Sequence, residues 1–336
     1  MKLQIRILVL IVFMLAELVA CGPAAAPTSP PPASGPSPTA PALTPTAGQP
    51  LQTPFPAGTT AQPPTLGVKP TPTPGTIPAF DHIFIIVEEN QSAGAIIGNS
   101  KAPYINSLIS QYALATNYSA ILHPSLPNYL TLTGGSNFGI TSDCTDCFVK
   151  AVNIVDRLES AGKTWKAYME SMPSACFVGN AGSLYAQKHD PFIYYDDIRT
   201  DPARCNQLVP FSQLANDLGQ TSTTPNYVWI TPNLCSDMHD CSISTGDGWL
   251  QANLPAIFDS PAWKTQNSLM FITWDEGLTN NNQVSTLVIS RSVTPGFRSS
   301  VSYNHYSLLR TVEAAWGLAP LTTYDGHASP MADFWP

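Results

Sequence analysis

The chain has 336 residues, with 15 Lys or Arg against 23 Asp or Glu and a formal net charge of −8. So acidic a balance offers no basic face and argues against a nucleic-acid partner. Many of its 33 prolines fall in one stretch near the N-terminus, which excludes that stretch from a packed core.

Residues 1–21 read as an export leader. Lys2 and Arg6 give a positive start, Ile7 to Ala16 an apolar run, and Leu18-Val19-Ala20-Cys21 the lipobox pattern of bacterial lipoproteins. Cleavage before Cys21 leaves that cysteine N-terminal for lipid attachment. The apolar run is short for a span of roughly 20 residues and is followed by Glu17, so a lipid anchor is expected over a retained transmembrane one. Residues 22–78 are nearly all Pro, Ala, Thr, Ser and Gly and read as a disordered or extended linker. The chain is therefore expected to be exported and held at a membrane or cell surface, with residues 79–336 as one domain.

Setting Cys21 aside leaves six cysteines, an even number that suits disulfides in an exported domain. Cys144 with Cys147 and Cys235 with Cys241 are local pairs, which leaves Cys176 with Cys205; six cysteines allow fifteen pairings in all. A zinc site at Cys144 and Cys147 is the alternative, weakened because no second C-x-x-C exists.

Within the domain, strands alternate with helices. His82 to Val87 is a continuous apolar, β-branched run, as in a buried parallel strand. Pro103 to Tyr118 has helical spacing through Ile105, Leu108, Ile109 and Tyr112. In H-P-S-L-P-N-Y-L, from His123, the prolines predict a rigid turn outside any helix. That turn presents Ser125 and Asn128 and then feeds a short helix. A hydroxyl so held is placed as a nucleophile would be. Ile154 to Ala161 predicts a helix capped by Asn153. Thr164 to Tyr168, Tyr227 to Thr231, Ser268 to Trp274 and Thr286 to Ser290 predict strands, and His305 to Trp316 a closing helix with Leu308, Leu309, Val312 and Ala315 inward. The alternation predicts an α/β sandwich around a mostly parallel sheet.

Ligands of such sheets bind at the carboxyl ends of the strands. There this chain places Glu88-Glu89-Asn90, then Asn233, Asp237, His239 and Asp240, then Asp275-Glu276. Oxygen-rich sets with an occasional imidazole suit a divalent cation. His305 starts the last helix as a candidate ligand or proton donor. His189 lies in an aromatic loop, Q-K-H-D-P-F-I-Y-Y, that can wall a pocket, and His123 stands close to Ser125.

Taken in order, E-N after the first strand, P-Y-I-N-x-L, H-P-S-L-P-N-Y-L, K-H-x-P-F, T-P-N-x-x-x-D-M-H-D, T-W-D-E-G and N-H-Y-S-L-L-R-T resemble the bacterial phosphoesterase family. That family holds acid phosphatases and phosphatidylinositol- or phosphatidylcholine-type phospholipases C, within the alkaline phosphatase-like superfamily. The resemblance runs from Asp81 to about Leu318 and omits the linker. It implies a three-layer sandwich and metal-dependent, acid-phosphatase-like hydrolysis of phosphate esters. Ser125 would form a phosphoseryl intermediate, Asn128 would donate to a non-bridging oxygen, and His305 or His189 would protonate the leaving oxygen. Glu89, Asn90, Asp275 and Glu276 would hold the metal. Asn233 and Asp237 stand where the two-metal pattern has other ligands, with Asn for Asp and Glu for His elsewhere, so one divalent ion is expected rather than two. His239 and Asp240 complete that second group. A phospholipase C-type phosphodiesterase acting on lipid head groups is the alternative. A non-catalytic surface lipoprotein that only binds is the alternative from another class, disfavoured by the intact Ser125, Asn128, Asp275 and Glu276. A Ser-His-Asp acyl hydrolase is disfavoured because no G-x-S-x-G occurs.

Overall fold

A computed structural model describes residues 75–335. The leader expected at 1–21, the lipidation of Cys21 and the linker over 22–74 lie outside the described residues. The strands are β1 (His82–Glu88), β2 (Ala113–Ala115), β3 (Tyr118–Ser119), β4 (Trp165–Met169), β5 (Leu208–Pro210), β6 (Tyr227–Thr231), β7 (Ser268–Trp274), β8 (Thr286–Ser290), β9 (Arg298–Ser299) and β10 (Tyr303–Asn304). An eight-stranded sheet runs β5-β4-β6-β1-β7-β8-β2-β9, and β3 pairs with β10 beside it. The run from β5 to β7 is parallel throughout, and β8 is antiparallel to both of its neighbours. The chain thus folds as the mostly parallel α/β sandwich its alternation predicts.

β1 is central and wholly buried because both of its faces are covered, which is why its sequence is a continuous apolar run and not an alternating one. Phe84 lies opposite Val228 in the register, so Phe84 and Trp229 point to opposite faces. Phe84 meets Trp263, which packs on Phe258 of the helix Ile243–Phe258. Trp229 meets Tyr129 of the helix Ser125–Gly134 and Phe192, and Tyr227 meets Trp316 of the helix His305–Trp316. Helices therefore cover both faces, giving three layers.

The helix at Ile154–Ser160 starts where expected, with Asn153 and Asp156 forming a reciprocal cap. The last helix and the strands β6, β7 and β8 match their predicted bounds, and β4 is displaced by one residue. The helix predicted over 103–118 ends at Gln111. Beyond it, Ala113–Ala115 pairs with β8 and β9, and Tyr118–Ser119 with β10. Pairing across the sheet overrides the helical spacing there. Ser125 does lie in a helix, as its first residue, and Pro127 and Asn128 follow within the first turn. N–H groups of a first turn have no intrahelical partner, so a proline costs little there. The three disulfides are Cys144–Cys147, Cys176–Cys205 and Cys235–Cys241, so the zinc alternative at Cys144 and Cys147 falls.

The loop from β6 to the helix Ile243–Phe258 depends on one missing side chain. A Cβ on Gly246 would lie 2.5 Å from Met238 Cγ and 2.8 Å from the Ser236 carbonyl oxygen. Gly246→Ala is expected to destabilise the domain by about 1–3 kcal/mol through overpacking, and to disturb the loop carrying Asp237 and His239. Urea unfolding of the variant checks this; an unchanged midpoint would refute the close approach.

Candidate active site

The site forms at the carboxyl ends of β1, β6 and β7. Glu88 pairs with Trp274 in the register, so the next residues of both strands emerge side by side. The backbone N–H of Asp275 donates to the Glu88 carbonyl at 3.0 Å, and that of Glu89 donates to the Asp237 carbonyl at 2.8 Å. Asn90 turns the chain with φ of 53°, in the left-handed region that Asn tolerates, and its N–H donates to Asp275 Oδ1 at 3.1 Å.

Ser125 is buried against this group, its Oγ donating to Glu89 Oε2 at 3.2 Å. Tyr129, one helical turn on, donates to Glu89 Oε1 and stacks on the His189 ring, centroids 5.3 Å apart. The His189 nitrogens lie 3.3 Å from Glu89 Oε1 and 3.4 Å from Asp237 Oδ2. His189 Nε2, Asp237 Oδ2 and Asp275 Oδ2 are nevertheless buried without a hydrogen-bond partner.

The electrostatics follow from that crowding. Burial, then the charges of Asp275 and Asp237, push Glu89 well above the usual carboxylate range. Burial and the neighbouring Glu276 lift Asp275 to about 8, and burial lifts Asp237 to about 8. Burial, then Lys188 and His239, hold His189 well below the usual imidazole range, so it stays neutral. Buried carboxyls that ionise only with difficulty, two of them presenting unpartnered oxygens, fit a divalent cation, and a neutral imidazole is the form that ligates. Ligand atoms of Glu89, His189 and His239 also lie within 4.8 Å of one another.

Of the residues singled out in the sequence, the structure gathers Ser125, Glu89, Asn90, His189, Asp237 and Asp275. Glu276 sits at the rim, where its Oε2 meets His123 Nδ1 at 2.7 Å. Asn128 is placed otherwise. Its Oδ1 accepts from the backbone of Ile121 and Leu122, and its Nδ2 donates to the carbonyls of Leu122 and Pro124 and, at 3.5 Å, to Glu276 Oε2. It therefore positions the loop before Ser125 and does not offer its amide to a phosphoryl oxygen. His305 is likewise committed, Nδ1 to Tyr118 Oη at 3.0 Å and Nε2 donating to the Asp275 carbonyl at 2.7 Å. Burial lowers it to about 4. It braces Asp275 from behind and has no free nitrogen for a leaving group or a metal. Asn233 is a turn residue, its Oδ1 accepting from Cys235 and Ser236 N–H. Asp240 is turned outward onto His239 Nδ1.

Lys188 stands in the K-H-x-P-F motif without an assigned role, and Asp143 carried no sequence signal. Lys188 Nζ donates to Asp143 Oδ2 at 2.9 Å and lies 3.2 Å from His239 Nε2. Asp143 Oδ1 in turn accepts the N–H of Leu126, next to Ser125. Tyr129 read only as part of an apolar helix.

This three-layer sheet, with a serine and a carboxyl–imidazole cluster at its strand ends, has the fold of the alkaline phosphatase superfamily. A solved member from Vibrio parahaemolyticus superposes with a TM-score of 0.52 at 12% identity, over 75% of this chain and 70% of that one. The phosphonate monoester hydrolase of Agrobacterium radiobacter superposes with a TM-score of 0.51 at 10% identity, over 76% and 77%. Residues 99–319 match the model of the Phosphoesterase family, and the chain belongs to that family. Membership makes it a hydrolase acting on phosphoric esters. It is 38% identical over 263 residues to the phosphatidylinositol-3-phosphatase of Mycobacterium tuberculosis, covering 77% of this chain and 84% of that protein. It is 31% identical over 232 residues to the phosphate-repressible acid phosphatase of Penicillium chrysogenum, covering 66% of this chain and 56% of that longer protein.

Carboxyls whose folded pKa is raised hold a proton that the unfolded chain gives up above pH ~4. Stability without metal is therefore present below that pH and is lost as pH rises through the values near 8 of Asp237 and Asp275. Chelator-treated protein is expected to melt at a higher temperature at pH 5 than at pH 8, and an excess of divalent cation to raise the pH 8 value more. Calorimetric scans check this; a metal-free protein more stable at pH 8 would contradict it.

Proposed function

We propose that the chain hydrolyses phosphate esters through a phosphoseryl intermediate on Ser125, in the manner of an acid phosphatase. The observation that carries this is the Ser125 hydroxyl, fixed at the mouth of a helix by Glu89, a carboxyl that Asp275, Asp237 and His189 crowd in turn. Ser125 Oγ attacks phosphorus as its proton passes to Glu89 Oε2, the atom that already accepts its hydrogen bond. The bond from phosphorus to the ester oxygen breaks, and that oxygen takes a proton from His123, oriented by Glu276 at the exposed rim. Water then attacks phosphorus while giving a proton to His123, the Oγ–phosphorus bond breaks, and Glu89 returns its proton to Ser125.

Glu89, Asn90 and Asp275, with His189 alongside, are the residues that would hold one divalent cation, and the orphaned Asp275 oxygen supports that assignment. Such an ion supplies Lewis acidity at the serine oxygen and at the phosphoryl group. A phosphorylated lipid head group is favoured among substrates by Leu278, 73% exposed on the lip of the groove beside His123 and Glu276. The name of the mycobacterial relative points the same way. A lipid anchor at Cys21 would keep the domain beside such substrates on the outer side of a membrane.

Ser125→Ala is expected to abolish turnover of p-nitrophenyl phosphate while the circular dichroism spectrum stays unchanged. Near-normal turnover would sink the serine mechanism. Asp275→Asn is expected to lower bound metal by elemental analysis.

A further inference from the structure

Lys188 is a cation with capacity to spare inside an acidic site. Its ammonium has three donors. Asp143 Oδ2 takes one at 2.9 Å, and His239 Nε2 takes a second at 3.2 Å. The second assignment is consistent with the His239 tautomer, because Nδ1–H is engaged by Asp240 Oδ1 at 2.7 Å. One donor is left. The side chain is largely enclosed, with 19% of its surface exposed, so its direction is fixed by these partners and not by solvent.

The charge sits among the reacting groups. It acts on Glu89 from β1, on Asp237 from the loop after β6 and on Glu276 from the end of β7. Lys188 is thus one cation shared by three carboxyls. The nearest chain neighbour, His189, touches Glu89 and Asp237 directly. Asp143 ties the ammonium to the nucleophile as well, because its other oxygen accepts the Leu126 N–H. Lys188 is thus held at a fixed place relative to Ser125 by two bonds through one carboxylate.

We propose that Lys188 receives a non-bridging oxygen of the substrate's phosphoryl group, and that it makes the site selective for dianionic phosphate monoesters over monoanionic diesters. This rests on Ser125 being the nucleophile of a phosphoesterase. A monoester dianion brings one more negative charge than a diester into a site already crowded with carboxyls. Beside the proposed cation, a fixed ammonium is the side chain here that offsets it, since the Asn128 amide is spent on the carbonyls of Leu122 and Pro124 and on Glu276. A lysine binds phosphate as a point charge, so the gain scales with substrate charge and not with shape.

The test measures kcat/KM of the full-length protein and of Lys188→Gln for p-nitrophenyl phosphate and for bis(p-nitrophenyl) phosphate, with inhibition by inorganic phosphate. The variant is expected to lose on the order of 10²-fold toward the monoester, at least tenfold more than toward the diester, and to bind inorganic phosphate correspondingly more weakly. Lys188→Arg, which keeps the charge, should recover most of the monoester preference. Lys188→Met replaces the Gln variant if circular dichroism shows that Gln disturbs the fold. Equal losses on both esters with phosphate inhibition unchanged would overturn the role of Lys188 and leave the serine mechanism standing. A wild-type protein that turns over neither ester, or a Ser125→Ala variant that turns over both, would overturn the mechanism itself.

Discussion

The site is built on an electrostatic difficulty. Three parallel strands end at one level, and what emerges from them is Glu89, Asp237 and Asp275, all buried. Isolated carboxylates in such a place would be costly to ionise. Nearly every contact around them is a donor: the Asn90 N–H on Asp275, Ser125 and Tyr129 on Glu89, and the His239 N–H on Asp237. These donors leave unpartnered oxygens on Asp237 and Asp275, which protons at low pH, or the proposed cation, would complete. The same deficit makes a phosphate ester hard to admit unless positive charge comes with it, which gives Lys188 its importance.

A second set of residues holds this arrangement without facing it. His305 links Tyr118 on β3 to the backbone of Asp275, so the small β3–β10 pair is connected to the end of β7. Asn128 locks four backbone groups between Ile121 and Pro124. Each such bond contributes about 1 kcal/mol net. Their effect on geometry is larger, because they fix loops that have no apolar core of their own.

Much of the scaffold was legible in the sequence because burial on both faces leaves an unmistakable mark. β1, β6, β7 and β8 are short apolar runs with polar residues at their ends, and that pattern located Glu89, Asp237 and Asp275. Ser125 was legible from the prolines around it, although those same prolines hid that it opens a helix. Asn128, His305 and Asn233, whose roles changed, each spend at least one side-chain atom on a backbone group. Composition cannot show whether an amide or imidazole is free, since the carbonyl or N–H it meets is present at every position. The segment after Gln111 failed for a related reason: Ala113–Ala115 has little strand character of its own, and only β8 and β9 make it a strand. Lys188 lay in the K-H-x-P-F motif with no role, because its partner Asp143 is 45 residues away in a polar loop.

That loop and its counterpart after β6 share one more property. Asp143 immediately precedes the Cys144–Cys147 disulfide, and Asp237 and His239 lie inside the Cys235–Cys241 one. The two loops meet where Lys188 touches both Asp143 and His239. Polar loops of this kind bury too little apolar surface to order themselves, and a short covalent closure removes unfolded conformations that packing cannot. The cross-links therefore fall on the segments that carry charged groups to Ser125, while the strand ends, ordered by the sheet, carry none. A site divided in this way leaves Glu89 and Asp275 to the sheet, while Asp237 and the partners of the Lys188 ammonium sit in or beside cross-linked loops.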